Sequence, residues 1–103
     1  MFVNEVSSTN KACITNGVNI IAAGAGLSDA TIGPPHPGHR AVIRLATLTG
    51  SVTAVVTVTE GTFDGTNNTA TFDAAEETLV LVYKDEDEWA IDLNSGGVGL
   101  TDV

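Results

Sequence analysis

The chain has 103 residues, room for one domain with a modest core, and its 43% apolar content is mostly Ala and Val, with few large aromatics (Phe2, Phe63, Phe72, Tyr83, Trp89). Thirteen acids face four bases, and a net charge of −9 argues against binding nucleic acid or anionic membranes. A single cysteine excludes an internal disulfide, no apolar run reaches the ~20 residues of a membrane span, and Met1-Phe2-Val3-Asn4-Glu5 lacks a basic leader, so the expectation is a soluble protein made in a cytoplasm.

Residues 1–10 read as an extended arm, with Phe2, Val3 and Val6 set among polar neighbours. Apolar side chains on a polar arm need a groove to enter, so these three are the candidate partner-binding residues. Residues 11–15 and 18–23 flank Asn16-Gly17, a dipeptide that favours a type I′ hairpin. Cys13, between Ala12 and Ile14, reads as a buried structural thiol. Gly24-Ala25-Gly26-Leu27-Ser28 breaks the second strand, and residues 30–32 are expected as a short one. Gly33-Pro34-Pro35-His36-Pro37-Gly38 is a rigid loop, because its prolines remove backbone donors and forbid helix.

Residues 40–47 and 52–59 are rich in β-branched side chains and are expected to pair as a hairpin through 48–51. A Gly/Asn/Asp-rich turn region, 60–68, follows. Residues 69–72, 78–84 and 88–93 are three further strands, the last two joined by a hairpin at Asp85-Glu86-Asp87. Residues 73–77 could make one helical turn at most. The layout is an arm (1–10), an all-β domain (11–94) and a flexible tail (95–103). Seven or eight short strands at this spacing predict a single-domain antiparallel sandwich or barrel, jelly-roll-like.

Several strands are apolar on both sides. In Leu79-Val80-Leu81-Val82-Tyr83 neither alternate set is polar, and Val42-Ile43 and Val55-Val56 break alternation too. Such strands need cover on both faces. Val42, Val55, Val80 and Val82 are therefore candidates either for core packing in a tight sandwich or for contacts between copies in a symmetric oligomer.

Catalytic and metal chemistry find little support. His36 and His39 have the spacing of half a zinc site, but Cys13 is the only thiol that could complete it. Asp85-Glu86-Asp87-Glu88 lacks the alternating oxygens and glycine of a calcium loop and reads as a solvated hairpin tip. Asp64, Asp73 and Asp92 are scattered carboxylates, Asn67-Asn68-Thr69 is a sequon without a secretory context, and Gly24-Ala25-Gly26 has no helix after it to make a phosphate loop. The expectation is no enzyme, no metal and no cofactor.

The second half has a texture of its own. It runs Gly38-His39-Arg40-Ala41-Val42-Ile43-Arg44-Leu45, then Gly50-Ser51-Val52-Thr53, then Thr69-Ala70-Thr71-Phe72-Asp73-Ala74-Ala75-Glu76-Glu77-Thr78-Leu79-Val80-Leu81-Val82, and closes on Trp89 and Ile91. Over about residues 30–94 it resembles small β-rich virion proteins of tailed bacteriophages, of the capsid decoration (cement) type, although Ala75-Glu76 stands where a glycine is common. The resemblance implies a homotrimer on the outer surface of a phage head, with the major capsid protein as partner and no catalytic residues. The alternative is a phage tail or fibre domain that binds a host-surface carbohydrate through Trp89 and Tyr83.

Overall fold

A computed structural model describes residues 2–23, 26–48 and 53–103. Ten strands follow in chain order: β1 (Val3–Val6), β2 (Ala12–Cys13), β3 (Gly17–Ala23), β4 (Leu27–Ile32), β5 (Arg40–Leu48), β6 (Ala54–Val58), β7 (Thr69–Phe72), β8 (Thr78–Asp85), β9 (Glu88–Ser95) and β10 (Gly99–Thr101). They form two five-stranded sheets, ordered β1-β3-β5-β8-β9 and β10-β7-β6-β4-β2. The all-β expectation holds, and no helix occurs among the described residues. Neither sheet closes into a barrel.

The antiparallel expectation requires correction. β1, β3 and β5 run parallel in the first sheet, and β2, β4 and β6 run parallel in the second. The cause lies in the path of the chain. From β1 to β6 each strand enters the sheet opposite its predecessor, so the chain returns to a sheet only after a full turn, already pointing the same way. From β7 the chain packs antiparallel: β7 on β6, β8 on β5, β9 on β8 and β10 on β7.

This winding also overturns two expected hairpins. Asn16-Gly17 links β2 to β3, which lie in different sheets, so it turns a corner between layers. Gly17 serves another need there. At φ +147° a Cβ would stand 2.6 Å from the Phe2 carbonyl oxygen, so only glycine lets the two backbones approach so closely. Likewise β5 and β6 belong to opposite sheets; residues 49–51 of the expected turn and residue 52 of the strand expected after it lie outside the described residues, as do Gly24 and Ala25. The β8–β9 hairpin forms as expected. Residues 73–77 make a turn closed by buried Glu77, whose Oε1 accepts the Asp73 and Ala74 N–H groups at 2.6 and 2.9 Å.

Both termini carry strands. β1 pairs with β3 inside the segment expected as an arm, and β10 pairs with β7 inside the expected tail. The core lies between the sheets. Val6, Ile21, Ile43, Leu45, Leu79, Leu81 and Trp89 face Ile32, Val56, Val58, Ala70 and Phe72, and Phe63 enters from the loop after β6. Burial of each large side chain is worth about 1.5–3 kcal/mol. The Trp89 Nε1–H donates to the Gly33 carbonyl at 3.2 Å, so the largest core residue has its one polar group satisfied.

Candidate partner-binding surface

Strand register decides what each outer face carries. On the first sheet Val3 pairs with Val18, Val18 with Val42, Val42 with Val80, and Val80 with Leu93. Side chains directly opposite one another in a sheet point to the same side. Inward positions of β5 and β8 are filled by Ala41, Ile43, Leu45, Leu79 and Leu81, so the other set points away from the core. One unbroken apolar row, Val3–Val18–Val42–Val80–Leu93, thus crosses all five strands on the outer face. Ile20 and Val82 extend it to either side and are half-buried.

Ion pairs frame the row. Arg40 and Arg44 flank Val42 along β5 and bind Asp92 at 2.9 Å and Glu76 at 3.4 Å, with all four side chains well exposed. Such exposed pairs contribute about 0–1 kcal/mol each. Their larger effect is to lay two long aliphatic stems beside apolar neighbours.

The outer face of the second sheet is different. Ala12 pairs with Thr31, Thr31 with Thr57, Thr57 with Thr69, and Thr69 with Thr101. Four of these five residues carry hydroxyls that suit water, although Thr69 is buried; in the valine row Val80 is buried, Val18 and Val42 are half-buried, and Val3 and Leu93 lie open to solvent. Val55 lies on this threonine face opposite Thr71, separate from Val42, Val80 and Val82 on the apolar face.

The three residues expected to seat the arm part company. Val6 is fully buried in the core, while Phe2 and Val3 are 76% and 68% exposed. Val3 is nonetheless fixed in position. Asn4 Nδ2 donates to the Ala12 carbonyl at 2.9 Å and to Asn19 Oδ1 at 3.1 Å, and Asn10 Nδ2 donates to Asn4 Oδ1 at 3.0 Å and to the Glu5 carbonyl at 2.7 Å. Asn19, fully buried, donates from Nδ2 to the Ile14 and Val42 carbonyls and accepts the Ile14 N–H at 2.8 Å. This asparagine chain binds β1 and the segment after it to the body of the protein. Asn19 was not foreseen, because an asparagine inside a strand reads as outward-facing. Val18, Ile20 and Leu93 were missed because register, not local sequence, aligns them.

Beside Phe2 two hollows open. One of about 230 Å³ is lined by Phe2, Asn16, Gly17, Arg40 and Val42. A wider one of about 660 Å³ is lined by Phe2, Val3, Ile14 and Gly33 among others.

The remaining reactive groups are accounted for by packing or solvent. Burial pushes the Cys13 thiol up to about 12, so it stays protonated and is a poor nucleophile. His39 Nδ1 shares a hydrogen bond with Thr15 Oγ1 at 3.0 Å, and the His36 ring stands edge-on to it at 5.2 Å. Among the described residues no three metal-ligating side chains cluster. Partial burial acts to raise the Asp64 carboxyl, but hydrogen bonds from the Asn67 backbone and side chain and the Thr66 N–H outweigh it and hold it below its usual range. That carboxylate organises the turn after Phe63. Asp85, Glu86 and Asp87 are exposed at the hairpin tip. Comparison of the chain with protein-family models, curated proteins and solved structures finds no match.

Proposed function

We propose that this chain is a structural protein that docks on other protein chains through the outer face of its first sheet. On the resemblance of residues 30–94 to phage decoration proteins, the partner is the major capsid protein, and the chain sits as a trimer on the outside of a phage head to brace the lattice. The carrying observation is the apolar row Val3–Val18–Val42–Val80–Leu93, bounded by the Arg40–Asp92 and Arg44–Glu76 pairs. An apolar centre inside a polar, solvated rim is the anatomy of a protein interface. A net charge of −9 suits the exterior of a shell that encloses DNA.

Val42, at the middle of the row, is the residue to test. Val42→Glu places a charge where a partner must exclude water and is expected to weaken binding to heads by roughly 10–100-fold, as for a central contact residue. Electron microscopy and co-sedimentation of heads with the two proteins measure this. Equal occupancy by wild type and variant would remove the face from the binding site.

The carbohydrate reading relied on Trp89 and Tyr83. Trp89 is fully buried, which removes one of the two rings and leaves only half-buried Tyr83 for a sugar to stack on, so the protein-docking reading is favoured.

A further inference from the structure

Asn16-Gly17 has a chemistry that its place at the corner between the sheets does not use. The chain holds seven asparagines, and only Asn16 is followed by glycine. The backbone nitrogen that follows an asparagine can attack the side-chain Cγ and close a five-membered ring. A Cβ on the following residue hinders that approach, and glycine has none.

The structure separates Asn16 from the other six. Asn4, Asn10, Asn19, Asn67, Asn68 and Asn94 each donate from Nδ2 to a protein oxygen at 2.7–3.2 Å. Turning any of these side chains onto its own backbone sacrifices at least one such bond. Asn94 is held at both ends of its amide, since its Oδ1 also accepts the Val98 N–H at 2.9 Å. Among the described residues Asn16 Nδ2 donates to nothing, and its Oδ1 accepts only the Arg40 N–H, at a long 3.4 Å.

Its surroundings suit the reaction. Asn16 is exposed and lines both hollows beside Phe2, so water reaches it. Gly17 is the first residue of β3, at the end of its ladder with β5. Fraying of that last rung frees the Gly17 N–H, and strand ends open more readily than strand centres. The Arg40 N–H stands where negative charge gathers on Oδ1 as the ring closes, which favours the step.

We infer that Asn16-Gly17 is a self-modification site, where Asn16 converts to aspartate and isoaspartate and the isoaspartate loosens the start of β1 from β3. The Gly17 nitrogen gives its proton to solvent and bonds to Asn16 Cγ. The Cγ–Nδ2 bond breaks, and the side-chain nitrogen leaves as ammonia. Water then opens the succinimide at one of its two carbonyls. Attack at Cγ restores the main chain and leaves aspartate. Attack at the main-chain carbonyl of residue 16 leaves isoaspartate, whose main chain is longer by one methylene. One water is consumed and one ammonia released, with no change of oxidation state.

The two products differ in effect. Aspartate adds one negative charge at an exposed site near Arg40. Isoaspartate lengthens the chain where there is no slack, because even a Cβ on Gly17 would stand 2.6 Å from the Phe2 carbonyl oxygen and 2.8 Å from Ile14 Cδ1. That carbonyl accepts the Val18 N–H at 2.9 Å, the bond by which the start of β1 is fastened to β3. Displacing Gly17 weakens this bond. The inference concerns the chain alone and does not depend on the identity of its docking partner.

The test holds the native protein for days in mildly alkaline buffer and follows all seven asparagines by peptide mass mapping. Electron-transfer fragmentation tells isoaspartate from aspartate. Asn16 is expected to convert at least about tenfold faster than Asn94, the factor that about one net hydrogen bond represents. Asn16→Gln, which could close only a six-membered ring, is expected to remain folded by near-ultraviolet circular dichroism of Trp89 and to lose the rapid release of ammonia. In the isoaspartate form, separated by ion exchange, the Val18 N–H is expected to exchange with solvent about tenfold faster than in wild type, whereas in Asn16→Asp it exchanges as in wild type. Asn16 that stays intact while the urea-unfolded chain converts, or that converts no faster than Asn94, would overturn the modification site. An isoaspartate form with wild-type exchange at Val18 would overturn the loosening of β1.

Discussion

Asn19 shows how much one side chain holds in place. Its amide uses both donors and accepts twice, from the Ile14 N–H and from Asn4. Among the described residues no buried side-chain nitrogen or oxygen lacks a partner, so any change here leaves an orphan. Asn19→Leu fills similar space but strands the Ile14 backbone groups and the Asn4 amide. The expected loss is about 2–4 kcal/mol, since each buried unsatisfied group costs about 1–3 kcal/mol. Urea denaturation measures it, and a loss below 0.5 kcal/mol (about the scatter of a surface substitution) would show the network to be dispensable.

Cys13 makes a different prediction. Burial pushes its folded pKa up to about 12, above the ordinary thiol value of 9.0, so folding favours the neutral thiol. Stability from this group is therefore complete below about pH 9 and is lost as pH rises toward 12. Cys13→Ala is expected to flatten the alkaline limb of the stability profile, measured by denaturation at stepped pH. An unchanged limb would mean that other groups control it. In the native state the thiol is expected to resist alkylation at neutral pH and to react fully once unfolded.

At the level of strands and turns, glycines decide two joints. Gly61 has φ +105°, and a Cβ there would run into the Asp87 carbonyl, because the segment after β6 lies directly on the β8–β9 turn. The Thr62 N–H donates to the Asp87 carbonyl at 3.1 Å, and the Trp89 N–H donates back to the Thr62 carbonyl at 3.0 Å. Gly61→Ala therefore strains its own backbone and pushes the two segments apart. A destabilisation of about 2 kcal/mol or more is expected, above the ~1 kcal/mol typical of point changes. Thermal unfolding checks this, and a melting point within experimental error of wild type would contradict it. Gly17→Ala is expected to act at the other end by displacing the Phe2 carbonyl and loosening β1 from β3, at a cost of about 1–3 kcal/mol in thermal unfolding.

For the molecule as a whole, winding dominates. The first six strands alternate between sheets, so every parallel pair joins residues far apart in sequence, such as Val18 with Val42. Loop closure must precede most of the stabilising contacts, and such topologies fold slowly. Refolding on dilution from urea is expected in the millisecond-to-second range of all-β domains; a microsecond phase carrying the full Trp89 signal would be inconsistent with this order of events. Part of the fold was legible beforehand. The β8–β9 hairpin and β7 were readable because alternation, β-branching and turn residues are local properties. The parallel pairs were not, because Asn16-Gly17 has the same composition whether it turns a hairpin or a corner between layers.

The amino-acid order on its own determined the all-β character, the acidity, the two-faced strands and the burial-prone thiol, since each follows from side-chain chemistry and short-range pattern. Tertiary structure alone decided which valines share a face. Val42, Val55 and Val80 look equivalent along the chain, yet register aligns Val42 and Val80 in one apolar row and sets Val55 among threonines. The reason is that a strand fixes only the alternation of its side chains. Which side meets the core, and what lies beside each residue, is set by a partner strand that the local sequence does not name.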